Sequence, residues 1–92
     1  MDTEMINDKV SQGIMLISAE KYDAAKLLLE DIIAEAPRTM EAYIHLGNAC
    51  ANLGKYDEAI ESFKKALLVD PNYVEAYFSI GSIYVLMNEK VK

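Results

Sequence analysis

Residues 41–71 read EAYIHLGNACANLGKYDEAIESFKKALLVDP. Within that stretch Tyr43, Leu46, Cys50 and Leu53 recur at the three-and-four spacing of an amphipathic helix that starts near Met40. Gly54 follows as a stop, because glycine tolerates the left-handed backbone that ends many helices. Asp57 or a neighbour opens a second helix, with Ala59, Ile60, Phe63, Ala66 and Leu67 on its buried side, and Pro71 ends the unit. The stretch is a helical hairpin.

The hairpin recurs. Gly13, Gly47 and Gly81 stand 34 residues apart, and Pro37 and Pro71 keep the same step. So do Tyr22 and Tyr56, Ala25 and Ala59, and the triplets Glu41-Ala42-Tyr43 and Glu75-Ala76-Tyr77. Several residue types agree on one period, which is the signature of a repeat architecture. The first unit repeats the layout with Tyr22 at its turn, Ala25, Leu28, Leu29 and Ile32 in its second helix, and an end at Ala36-Pro37. Thr39 and Asn72 are the expected caps of the helices that follow the two prolines. Gly47 and Ala59 are expected to lie at the tight approach inside the middle hairpin, one on each helix, and no segment shows the strict alternation of a strand.

These residues resemble the tetratricopeptide-repeat (TPR) signature: a bulky residue, Leu-Gly, an aromatic, then Ala, Phe and Pro within one period. The middle unit carries it as Tyr43, Leu46-Gly47, Cys50, Tyr56, Ala59, Phe63, Ala66 and Asp70-Pro71, with Cys50 where the family usually has tyrosine. The first unit departs from it, placing Lys9 and Gln12 at the bulky and leucine positions. The third keeps Tyr77, Ile80, Gly81 and Tyr84 and then stops. The resemblance implies an all-α fold, a right-handed superhelical stack of antiparallel helix hairpins with two full repeats and one extra helix. It implies a single domain over residues 1–92, with units at about 6–39, 40–73 and 74–92.

Composition narrows the function. A formal net charge of -6 disfavours nucleic acid, whose binding relies on lysines and arginines neutralising phosphates, and it disfavours an anionic membrane surface. Cys50 is the only cysteine, so no intrachain disulfide forms, and an unbridged apolar-rich domain points to the cytoplasm. Chemistry finds no foothold. His45 is the only histidine, without partners at metal-ligand spacing, and Cys50 has no cation among its helical neighbours to activate its thiol. Glu61 and Lys65 form an ordinary i,i+4 pair, and no phosphate loop or calcium loop is present. The expectation is a non-catalytic protein with no metal and no cofactor.

In the TPR family the first helix of each unit lines a groove that holds a peptide. The resemblance places Asn7, Val10, Ile14 and Ile17 of the first unit, Glu41, Ile44, Asn48 and Ala51 of the second, and Glu75, Phe78, Ser82 and Val85 of the third on that groove. Asn48 matches a position where the family often uses asparagine to hold a ligand backbone. The carboxylate clamp of one chaperone-binding branch is absent, since Val10, Ile14, His45, Glu75 and Ser79 stand at its positions. The partner expected is therefore a protein or peptide with an apolar or amphipathic segment. The groove could instead be covered by the N-terminal residues Asp2–Met5 or by another copy. The last helix, roughly Asn72 to Glu89, is apolar on nearly every side, whereas a helix that closes a stack needs a polar outer face. Either the chain belongs to a longer array or a homodimer forms there, burying Ile83, Tyr84 and Met87.

Overall fold

This computed structural model describes residues 3–91, with side-chain surroundings described for residues 3–89; Met1, Asp2 and Lys92 lie outside the described residues. Five helices run in order: α1 (Thr3–Ser18), α2 (Tyr22–Glu35), α3 (Met40–Asn52), α4 (Tyr56–Val69) and α5 (Val74–Val91). The sequence period is reproduced by the backbone. Tyr22 and Tyr56 begin α2 and α4, and Met40 and Val74 begin α3 and α5, each pair 34 residues apart. Consecutive helices pack on one another, α1 also touches α3, and the stack measures 46 × 29 × 18 Å.

Each hairpin turn has one backbone solution used twice. The Gly54 amide donates to the Ala51 carbonyl at 3.0 Å and the Lys55 amide to the Cys50 carbonyl at 2.8 Å, closing α3 with Gly54 at φ 78°. In the first hairpin Glu20 and Lys21 bond Ile17 and Leu16 in the same pattern, at 2.9 and 2.8 Å, with Glu20 at φ 60°. A non-glycine residue there carries strain of about 1–3 kcal/mol, so the turn geometry is imposed by the packing around it. Between hairpins, Ala36 and Asp70 close α2 and α4 through bonds to Ile32 and Ala66, and the Tyr43 hydroxyl donates to the Pro37 carbonyl at 2.7 Å.

Thr39 holds the N-cap position of α3, as expected, but its side chain makes no capping hydrogen bond; its carbonyl accepts from the Ala42 amide instead. Asn72 does not cap α5 either. Its amide donates to the Asp70 carboxylate at 3.1 Å, and the Tyr73 carbonyl receives the Ala76 amide. Prolines at 37 and 71 therefore sit in short turns whose backbone is satisfied locally.

The core runs along the axis of the stack. Ala25, Leu29, Ile32, Ala42, Ala49, Ala59, Ala66 and Ala76 are fully enclosed, and Phe63 and Cys50 nearly so. Small residues on facing helices bring backbones together while Leu29 and Phe63 fill what remains. A Cβ on Gly47 would lie 2.7 Å from the Phe63 ring, and one on Gly13 would lie 3.0 Å from Leu29. The side chain seated on Gly47 is thus Phe63, on the same helix as the fully enclosed Ala59. Burying a ring of that size is worth about 1.5–3 kcal/mol. Replacing Gly47 with leucine is expected to cost roughly 1–3 kcal/mol or more, because the ring must leave its seat. A denaturant midpoint shift in urea measures this, and an unchanged midpoint would contradict the assignment.

Candidate functional site

The inner surface is built from the exposed sides of α1, α3 and α5. α1 lies against α3, but α5 leans chiefly on α4 and makes little contact with α3. The gap between α3 and α5 opens a recess of about 290 Å³. Asn48 and Ala51 form its α3 wall, and Phe78, Ser79, Ser82, Ile83 and Leu86 its α5 wall. Phe63 of α4 closes the floor. Phe78 is three-quarters exposed at the rim. The Asn48 carbonyl accepts a bond from the Asn52 side chain at 2.8 Å, while the Asn48 side-chain amide has no hydrogen bond among the described residues.

Four of the expected groove residues therefore meet around one recess: Asn48, Ala51, Phe78 and Ser82. Ile14 and Val85 are exposed, whereas Ile17 and Ile44 are half-buried and pack partly on the core. Val10 is corrected. It is only 8% exposed and belongs to the core cluster, so its side chain is enclosed within the stack of α1, α2 and α3 and is not free for a ligand. Ser79, Leu86 and the Phe63 floor were not singled out from the sequence as groove residues. Helical periodicity gives the face of each helix but not how far α5 splays from α3. The N-terminal cover proposed for the groove, Asp2–Met5, lies partly outside the described residues; Thr3–Met5 form the start of α1, with Met5 half exposed.

The outer end also needs correction. Ile83, assigned to self-association, is 3% exposed and packs inside its own chain, and Met87 is half-buried against the same core. The repeat period explains this: Ile83 occupies the position of Ala49, which is fully buried. Tyr84 alone of the three stands clearly in solvent, 48% exposed.

Elsewhere a few charged groups pair. On the opposite side of the stack Lys26 lies 3.7 Å from Glu30 and 3.9 Å from Glu58, a bridge between α2 and α4 worth at most about 1 kcal/mol. This pair borders a second recess above Cys50. Burial pushes the Cys50 thiol up from its ordinary pKa, Glu58 adds to the shift and Lys26 opposes it, so the thiolate is disfavoured. Among the described residues no group of His, Cys, Asp and Glu could hold a metal ion, and no described helix is long and apolar enough to cross a membrane.

Comparison with known proteins follows from this geometry. Residues 47–88 match the profile of the TPR repeat family. A TPR repeat-containing protein of Methanocaldococcus jannaschii is 31% identical over 90% of this chain and 27% of its own length. The SGT1 homolog of Oryza sativa subsp. japonica is 28% identical over 97% of this chain and 24% of its own length. The chain thus spans about a quarter of these two relatives. A crystal structure of MamA superposes with a TM-score of 0.86 at 28% identity, covering 90% of this chain and 48% of that one. The Yersinia enterocolitica type III secretion chaperone SycD, solved with a peptide of the translocator YopD, gives a TM-score of 0.90. At 17% identity over 96% of this chain and 67% of SycD, that likeness is one of fold.

His45, half-buried on α3, supplies a test of this surface. Burial pushes its imidazole below the ordinary 6.5, with Glu41 opposing less strongly. The folded state therefore favours neutral His45, and the stability this provides is complete above pH 6.5 and declines as pH falls below it. An NMR titration should place the His45 midpoint below 6.5. His45→Gln should flatten the corresponding part of the stability profile. A midpoint at or above that value would contradict the burial described.

Proposed function

The chain belongs to the tetratricopeptide-repeat family, and on that premise we propose that it is a non-catalytic protein–protein interaction module whose concave groove holds an apolar or amphipathic peptide segment. The observation that carries the reading is the recess between α3 and α5, where an exposed Phe78 faces the unpaired amide of Asn48. At about 290 Å³ it sits just below the ~300–1,000 Å³ of small-molecule sites, a size suited to one anchoring side chain of a peptide. Phe78 and Leu86 supply apolar contact, Asn48 a donor and acceptor for peptide backbone, and Ser82 a hydroxyl at the edge. The Yersinia chaperone, seen with a translocator peptide, offers a fold-level parallel.

The net charge of -6 favours a protein ligand over nucleic acid or an anionic membrane. The same reading treats the 92 residues as one domain working in the cytoplasm, in keeping with a single, buried, unbridged cysteine. Self-assembly would use a different surface, the outer side of α5.

A random peptide library displayed on phage, selected against the 92-residue chain, tests the groove. Enriched ligands should share an apolar anchor and lose about tenfold or more in affinity against Phe78→Asp and Asn48→Ala. Both positions face the recess, so circular dichroism should show the helices intact. Ligands that bind a folded Phe78→Asp variant as tightly as the parent would place the binding surface elsewhere.

A further inference from the structure

The recess above Cys50, about 220 Å³ in volume, lies between α2 and α4 on the side of the stack away from the groove. Its origin is a change of size at one position of the repeat. Tyr84 stands 34 residues after Cys50 and Leu16 stands 34 before it, so a thiol takes the place of a large side chain. About one turn away Phe63 on Gly47 holds α4 against α3, and Lys26 of α2 reaches Glu58 of α4 at 3.9 Å. The walls keep the spacing of the repeat, and the room of a larger side chain is left open above the sulfur.

The surroundings of that space select the chemistry of an occupant. Leu46 and Cys50 give it an apolar floor with one polarisable sulfur, a surface that attracts an aromatic ring. Lys26 borders the recess, and an ammonium beside it favours the face of such a ring. Ser62 is the polar element of the wall. It is only 6% exposed, and its hydroxyl makes no hydrogen bond among the described residues, so a buried donor and acceptor lines the recess unused. Charge excludes the alternatives. An anion would meet Glu30, Glu58 and Glu61 against two lysines. A cation would compete with Lys26, which already lies 3.7 Å from Glu30 and 3.9 Å from Glu58. A neutral ring that carries a hydroxyl satisfies floor, rim and wall together.

We propose that the recess over Cys50 binds a neutral phenol ring, packed on the Cys50 sulfur and hydrogen-bonded to Ser62. The ring belongs either to a free phenol or to a tyrosine side chain of a partner protein. The site lies opposite the groove and does not rest on the groove holding a peptide.

Titration of the chain with p-cresol, the tyrosine side chain without its backbone, provides the test. NMR spectra followed to about 10 mM cover the affinity expected of a single ring. Ring-current shifts should saturate and centre on Leu46, Cys50 and Ser62. Ser62→Ala should weaken p-cresol by about threefold or more and leave toluene, which lacks the hydroxyl, unchanged. Cys50→Tyr, which fills the recess with the chain's own ring, should abolish p-cresol binding and keep or raise the thermal midpoint. N-acetyltyrosinamide reports the source. Binding as tight as that of p-cresol assigns the recess to a tyrosine of a partner, and weaker binding assigns it to a free phenol. Shifts that do not saturate or that centre elsewhere would overturn the proposal. So would p-cresol binding that survives in a folded Cys50→Tyr variant or that ignores Ser62→Ala.

Discussion

A glycine on the first helix of each hairpin lets a bulky side chain from the second lie directly against its backbone. Phe63 on Gly47 and Leu29 on Gly13 are the two instances inside the chain. Everything else in the stack is arranged around that contact. It sets how close paired helices come, which in turn selects alanine at Ala25, Ala42, Ala59, Ala66 and Ala76, all without exposure. It also dictates the turn. Two helices held this close must be joined by a tight left-handed residue, and Glu20 accepts that conformation although it lacks glycine's freedom.

Because each contact lies between neighbours, stability accumulates along the array and is weakest where a neighbour is missing. α5 has two contrasting sides. Its inner side, at Ala76 and Ile83, is as deeply buried as its counterparts in α3, while its outer side, at Tyr77 and Tyr84, is open. α5 makes little contact with α3, and the recess at Asn48 and Phe78 opens between them.

Most of the fold was legible in the sequence. The 34-residue step of Gly13, Gly47 and Gly81 located all five helices, and the aromatic and alanine positions identified the core face of each. What spacing could not supply was the third dimension. Gly47 and Ala59 share a period with the true contact, yet it is the ring of Phe63 that reaches the glycine. Val10 has a groove register but lies in the core, and Ile83 reads as outward on a helix apolar on nearly every side but takes the buried place of Ala49. On a helix with no polar side, periodicity gives no inside and outside; comparison with the equivalent residue one repeat earlier does. The site was legible in part for the same reason. Asn48, Phe78 and Ser82 follow from the repeat, while Leu86 and the Phe63 floor follow from how α5 is splayed.

The central claim is that seat and occupant act as one unit, and a double-mutant cycle measures it most directly. The cycle combines Gly47→Ala with Phe63→Leu, the latter copying the residue that Gly13 already accommodates at 3.0 Å. If the contact governs the stack, Gly47→Ala will destabilise the parent by about 1 kcal/mol or more and cost measurably less beside Leu at position 63. The coupling should then be at least about 0.5 kcal/mol. Additive effects in a cooperatively unfolding protein would mean that the ring and the glycine do not sense each other, and the account would fail at its base.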